Sequence, residues 1–425
     1  MKIAFFAYES RNLNTYPSLV NAVRLLVKAG HSVDLYLPSS MATDIIFDNC
    51  RIIFVSEPDP YEYVSSSVRL VNNLECPYVL FFACYIEGLI VSEILSRQSI
   101  TAIPIVYFSM ELIYKDYPFR LITNILNPNK LLADFVRPLL CSIKMNDCNI
   151  MTLRRLMSAS LKQIAYSLLV LWSWLRLTYS GGNNILFSIV SDHMRAKVLK
   201  EEFLFVDRII YVPEAGYIGY NDDNSFFAFE RFGISKNKKI LLYTGGLERG
   251  FDLSLLDASK ELGEEYILFC NVYSRDGYVQ EILPIYAEEI DAGKLFFQTS
   301  NLDENEYDAL VRSIHIGIVW YPVPSPMNPN MYYLGYSSGK LNKFLSCGKP
   351  VVCSDGIYGY KELIEGNGLG RICTSVGEFA VSVTEIESDY GRIVQNIKSY
   401  YLEHIDFEKC FRAVLEVIGK IETTI

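Results

Sequence analysis

The chain opens with an apolar run, Ile3–Phe6. Tyr16–Ala29 follows, with Leu19, Val20, Val23, Leu25 and Leu26 at helical spacing, and stops at Gly30. Ser32–Leu37 then alternates apolar and polar positions. This is strand, helix with a glycine C-cap, strand. Arg51–Val55, Tyr78–Ala83 and Ile103–Phe108 predict further strands with helical segments between them. The pattern restarts at Lys239–Tyr243 and continues through Tyr266–Phe269, Leu295–Gln298, Ile316–Tyr321, Val351–Cys353 and Gly370–Cys373. Helices are expected between, at Glu304–Ser313 and Leu341–Ser346 among others. Apolar strands alternating with helices form parallel sheets covered on both faces. The turn-rich stretch Tyr211–Asn237 marks the joint. The expected fold class is therefore α/β, with two doubly wound Rossmann-like domains whose parallel sheets face a cleft. The expected domains are residues 1–212 and 213–405, with a last helix within 406–425 returning to the first domain. Ligands of such sheets bind beyond the carboxyl ends of the strands.

One stretch breaks the rhythm. Residues 118–191 hold eight basic side chains (Arg120, Lys130, Arg137, Lys144, Arg154, Arg155, Lys162, Arg176) and two acidic ones, Asp134 and Asp147. Leu153, Met157, Leu161, Ile164, Leu168, Leu171, Trp172 and Leu175 share one helical face, and Trp172, Trp174 and Tyr179 cluster at its end. A basic, aromatic, amphipathic helix suits an anionic membrane surface. An ordinary helix packed on the first domain is the competing reading. The apolar stretch Ile164–Leu175 is too short to span about 30 Å of hydrocarbon.

Composition narrows the function. The chain has 425 residues, 50% of them hydrophobic and 21% charged, which permits a large core and argues against disorder. A net charge of −10 argues against a general nucleic-acid binder, and no nucleic-acid partner is expected. Ten scattered cysteines without a C-x-x-C pair read as reduced and cytoplasmic. Four histidines, none at zinc-site spacing from a cysteine, predict no bound metal and no cofactor. The first residues read as a strand rather than a signal peptide.

Two turns carry chemistry. Gly335–Asp355 places small residues and Lys340 ahead of a short helix. It is not a Walker A loop, because three residues separate Gly335 from Gly339 and Leu341 follows Lys340. Nor does the first strand–helix turn carry G-x-G-x-x-G. What remains is a helix N-terminus at Ser337, Ser338 and Gly339, whose free amides and dipole attract an anion, with Lys340 as a point charge. The second turn is Leu242-Tyr-Thr-Gly-Gly-Leu-Glu-Arg-Gly. Gly245 and Gly246 let a ligand approach the backbone, and Arg249 can fork onto a diphosphate. Two phosphate-ready turns in one domain point to a nucleotide diphosphate.

The second half resembles the nucleotide-binding domain of GT-B glycosyltransferases, near the large retaining family of bacterial surface-polysaccharide enzymes. Tyr243-Thr-Gly-Gly-Leu-Glu-Arg-Gly is similar to that family's Gly-Arg-Leu…Lys-Gly turn. Ile316-Gly-Ile-Val-Trp-Tyr-Pro, with Ser-Ser-Gly-Lys-Leu…Phe-Leu-Ser-Cys-Gly-Lys-Pro-Val-Val after it, resembles the signature that follows. The likeness spans about Ile240–Ile372 and is thinner in the first half. It implies a nucleotide-sugar donor held by Arg249 and Lys340 with the amides of Gly246 and Ser337–Gly339. By the same resemblance Thr299 and Ser300 would meet the base, and Tyr321 and Asn330 the sugar. The first domain would take a glycan or lipid-linked acceptor, with Glu111 as first choice for the general base and Glu9 and Glu87 behind it. The enzyme would work from the inner face of the cytoplasmic membrane. The family's paired glutamates fall on Gly335 and Lys343, so ribose recognition and turnover depart from the pattern. A GT-B sugar-nucleotide epimerase and a catalytically degenerate partner subunit stay open as alternatives, as does the anomeric outcome. His31 is expected in a structural turn, and His193 at a helix start.

Overall fold

A computed structural model describes residues 1–8, 13, 16–41, 45, 47–55, 59–73, 78–99, 102–109, 162, 164–173, 175–176, 184–202, 208–214, 220–223, 225–247, 253–273, 277–300, 302–321 and 332–422. Two compact units emerge. The first is Met1–Thr15, Val23–Tyr211 and Leu415–Ile425; the second is Tyr16–Ala22 and Val212–Val414.

The first unit is built on β1 (Lys2–Ala7), β2 (Ser32–Pro38), β3 (Cys50–Val55), β4 (Leu80–Cys84), β5 (Ile105–Ser109), β6 (Ile185–Val190) and β7 (Ile209–Tyr211), with α2 (Pro60–Asn72), α3 (Tyr85–Gln98), α4 (His193–Glu202) and, from Val23 onward, α1 (Pro17–Lys28). All the strands run parallel, in the order β3-β2-β1-β4-β5-β6-β7. The middle strands are apolar on both faces because helices cover both. Local signals set the helix ends. Asp59 caps α2 by accepting from the Glu62 amide at 2.9 Å, with Pro60 in the first turn. After α1, Gly30 takes φ +88°, which a glycine adopts without strain. His31 is buried in the turn into β2, and His193 opens α4, both as the sequence predicts. Asp34, a charge inside β2, is matched by Arg51 at 2.7 Å and by the Tyr78 hydroxyl at 2.5 Å.

Ile185–Val190, the tail of the stretch read as a basic insertion, is β6 and pairs with β5 and β7. The run Ile-Leu-Phe-Ser-Ile-Val is uncharged and largely buried, so it belongs to the sheet and not to a surface segment.

The second unit holds β8 (Lys239–Gly246), β9 (Tyr266–Tyr273), β10 (Leu295–Gln298), β11 (Ile316–Val319), β12 (Val351–Ser354) and β13 (Gly370–Cys373). Its helices are α5 (Phe227–Phe232), α6 (Ser254–Glu261), α7 (Tyr278–Ile282), α8 (Ala287–Asp291), α9 (Glu304–Ser313), α10 (Gly339–Ser346), α11 (Phe379–Ser388), α12 (Tyr390–Tyr400) and the start of α13 (Phe407–Glu422), whose residues from Leu415 onward belong to the first unit. The parallel order is β10-β9-β8-β11-β12-β13. Strand order reverses between β8 and β11, which makes their carboxyl ends the topological switch point where doubly wound sheets open a crevice. A capping box between Asp303 and Glu306 starts α9 beside that edge. Strand β11 stops two residues before the expected end, because the Tyr321 backbone leaves the ladder and bonds the Ser354 hydroxyl on both its N–H (2.9 Å) and its C=O (3.0 Å).

Candidate functional site

The two phosphate-ready turns meet at the switch point of the second unit. Strand β8 runs out through Gly245 and Gly246, and α10 starts after β11. Gly245 has φ +152°, and a Cβ on it would lie 3.1 Å from the Lys340 ammonium. A Cβ on Gly246 would lie 3.3 Å from the Tyr273 ring. Bare backbone is what lets these groups close around the turn.

Lys340, in the first turn of α10, is half-buried with its Nζ 4.8 Å from the ring centroids of both Tyr243 and Tyr321. Ring faces attract the cation but do not neutralise it. Among the described residues no carboxylate pairs with Lys340. Burial pushes its pKa down to about 8. A cation short of solvent and of a counter-charge is poised for an anionic ligand.

The helix end supplies donors beside it. The Ser338 hydroxyl accepts from the Leu341 amide at 3.3 Å and Ser338 O accepts from Asn342 N, the pattern of an N-cap. The Gly339 and Lys340 amides occupy the first helical positions, which have no acceptor inside a helix. Ser337 is buried and its amide already donates to Leu334 O at 2.8 Å, so this N–H is committed to the turn. The Tyr321 hydroxyl sits 3.4 Å from Ser338 Oγ and ties the end of β11 to the cap.

Thr299 and Ser300 are exposed on the loop after β10. Gln298 donates to Ser300 Oγ at 2.5 Å and to Ser300 O at 3.3 Å, which holds the loop. Strand β10 lies two places from β8, or about 10 Å across the sheet. That is the scale separating a base from the phosphates of one nucleotide. Glu111, Arg249 and Asn330 lie outside the described residues.

The positions of the family's two glutamates differ physically as well as in sequence. A Cβ on Gly335 would lie 2.5 Å from the Tyr358 carbonyl oxygen, so no side chain fits without moving backbone. Lys343 is buried, 2.5 Å from Asp308 on α9 and 5.2 Å from the Tyr307 ring. Burial pushes the Lys343 pKa down, and the nearby Cys347 opposes that shift.

Sequence reasoning missed Tyr243, Tyr273 and the Ser354 clamp. The available signal was aromatic residues at the carboxyl ends of β8 and β9; Tyr273 is 51% exposed there despite its size.

No protein-family model matches the chain. Over 66 residues it is 42% identical to glucosyltransferase 3 of Streptococcus parasanguinis, which covers 15% of this chain and 20% of that protein. The match thus spans about a fifth of the length of the curated relative. Among solved structures, the chain superposes on a sucrose-phosphate synthase from Thermosynechococcus elongatus with TM-score 0.63, 13% identity and full coverage of both chains. It superposes on HepE of Anabaena, solved with UDP and glucose, with TM-score 0.60, 12% identity and coverage of 99% of this chain and 100% of that one. The two sheets and their helices are those of the GT-B fold.

Proposed function

We propose that this chain is a glycosyltransferase that takes a sugar from a nucleotide-diphosphate donor and passes it to a lipid-linked glycan precursor. The observation that carries this reading is Lys340, a partly desolvated cation between two tyrosines, facing a bare glycine turn and a helix N-terminus at a switch point. Such a site suits a diphosphate leaving group, whose charge Lys340 and the Gly339 and Lys340 amides would stabilise without a metal ion. Arg249 would add a second cation. HepE, a protein of the same fold, has been solved with UDP and with UDP-glucose, which supports UDP as the first nucleotide to test. Thr299 and Ser300 would meet the base, and Tyr321 and Asn330 the sugar. On the acceptor side Glu111 would take the hydroxyl proton.

Membrane association at the inner face of the cytoplasmic membrane belongs to the same proposal. In the helical residues 164–173 and 175–176, Tyr166, Ser167, Val170 and Ser173 are buried. Ile164 (41% exposed), Leu168 (56%), Trp172 (47%) and Leu175 (39%) form the opposite, wet face. The Arg97 and Arg176 guanidiniums flank the Trp172 ring at 4.7 and 4.6 Å. An apolar stripe with an arginine-flanked indole fits an anionic lipid interface. No helix among the described residues is long and apolar enough to cross a membrane.

The direct test is UDP release from UDP-glucose, measured with and without a membrane fraction carrying glycan precursors. Acceptor-dependent release with sugar incorporated into lipid supports the reading. Conversion of a UDP-sugar to its epimer without acceptor overturns it in favour of the epimerase. Nucleotide binding with no turnover favours the partner subunit.

A further inference from the structure

The second unit contains a cavity of about 500 Å³ that the donor site does not use. It opens beside Glu365–Gly368, the residues that lead into β13, with α12 along one wall. The strands are parallel, so this start of β13 lies at the opposite end of the sheet from the turns after β8 and β11.

Three independent features mark it as a built site. First, both π-helical turns among the described residues border it: Lys361–Glu365 contributes Glu365, and Tyr401–Ile405 contributes Glu403 and His404. π-helical turns are rare and are often found at functional sites. Second, the floor must be bare backbone. Gly368 has φ +63°, and a Cβ there would lie 2.6 Å from Asn396 Nδ2. Asn396 donates to Gly368 O at 3.3 Å, which fixes its amide at the wall. Third, both arginines of the wall are already paired with carboxylates. Arg371 is bonded to Glu385 at 2.7 Å and lies 3.8 Å from Asp389, and Arg392 is paired with Asp389.

The wall therefore offers an anion no uncommitted cation, while keeping many hydrogen-bonding groups. Glu365, Asn396, Ser399 and Glu403 can accept from or donate to hydroxyls. The rings of Tyr400 and His404, with centroids 4.8 Å apart, add aromatic surface on which the C–H face of a sugar can pack. The volume is that of a pocket for a small multi-ring ligand.

We propose that this cavity binds a short segment of neutral oligosaccharide, separately from the nucleotide site. That the segment comes from the enzyme's own growing glycan rests on the glycosyltransferase reading; the binding itself does not. Holding the chain there would keep a product near the enzyme between transfers.

The test is saturation-transfer NMR on the full chain with maltotriose, cellotriose, N,N′-diacetylchitobiose and glucose as probes, with and without saturating UDP. The expected result is transfer to at least one oligosaccharide, unchanged by UDP and weaker for glucose. Ser399→Trp fills the cavity from an exposed helical position and should weaken that oligosaccharide about tenfold while leaving UDP affinity unchanged. Should Ser399→Trp fail to fold, Glu403→Ala, at a side chain 71% exposed, gives the second reading with the same expected loss. No transfer to any oligosaccharide, displacement by UDP, equal binding of glucose, or binding unchanged in the folded variants would each overturn the assignment. A wild-type chain that binds oligosaccharide but not UDP would count against the donor reading and leave this one standing.

Discussion

Lys340 is the residue on which the donor reading turns. Its ammonium is charged below about pH 8 and loses its proton above, because burial disfavours the charged form. A bound diphosphate favours the charged form and raises that pKa. UDP affinity should therefore be level below pH 8 and fall as pH rises, approaching about tenfold per pH unit until the bound-state pKa is reached. Calorimetry from pH 7 to 10 checks this, and a flat profile would remove Lys340 from the anion site. Lys340→Met should leave the melting temperature unchanged or raise it, since a partly buried cation without a carboxylate partner is replaced by an apolar chain. The lysine and its small-residue approach were legible in the sequence, because a helix start with Ser-Ser-Gly-Lys has a local signature. The rings around it were not, since nothing in the order of residues says that Tyr243 on β8 and Tyr321, just beyond the end of β11, enclose one ammonium.

At the scale of elements, α10 is held by contacts that the usual glutamate pattern would not make. Lys343 pins α10 to α9 through Asp308, a pairing across 35 residues that no local pattern announces. Asp308→Asn removes the carboxylate charge that lies 2.5 Å from the buried Lys343 ammonium. It should cost about 2 kcal/mol, below the roughly 3–5 kcal/mol of a fully buried pair because the Asp308 side chain is 28% exposed. Adding Lys343→Met should recover most of that loss in urea unfolding; a double variant as weak as the single would mean the pair does not couple the helices. Gly335→Glu should destabilise by about 1–3 kcal/mol, because its Cβ would lie 2.5 Å from the Tyr358 carbonyl oxygen. Unchanged stability would show that this turn yields easily. Strand positions were readable from apolar runs, with two exceptions, the three-residue β7 and β6. The residues of β6 sit at the end of a basic stretch, so a regional charge count absorbed a strand that carries no charge.

For the whole molecule, two parallel sheets with the GT-B order of strands set where chemistry can occur, and the alternation of apolar runs and helices was enough to expect them. The cavity beside β13 was not legible, because it gathers residues from Glu365 to His404 around two π turns that have no sequence signature. At this scale the exposed stripe also makes its prediction. Trp172→Ala should reduce flotation with anionic vesicles several-fold at low salt and leave UDP binding intact; equal flotation would detach the stripe from the membrane. The account as a whole rests on the second unit being a nucleotide site. The measurement that reaches it most directly is calorimetric titration of UDP into wild type and Lys340→Ala. The account predicts binding by the wild type and a loss of roughly 1.5–3 kcal/mol in the variant, the range for hydrogen bonds to a charged group. Equal binding by both, or none by the wild type, would contradict it.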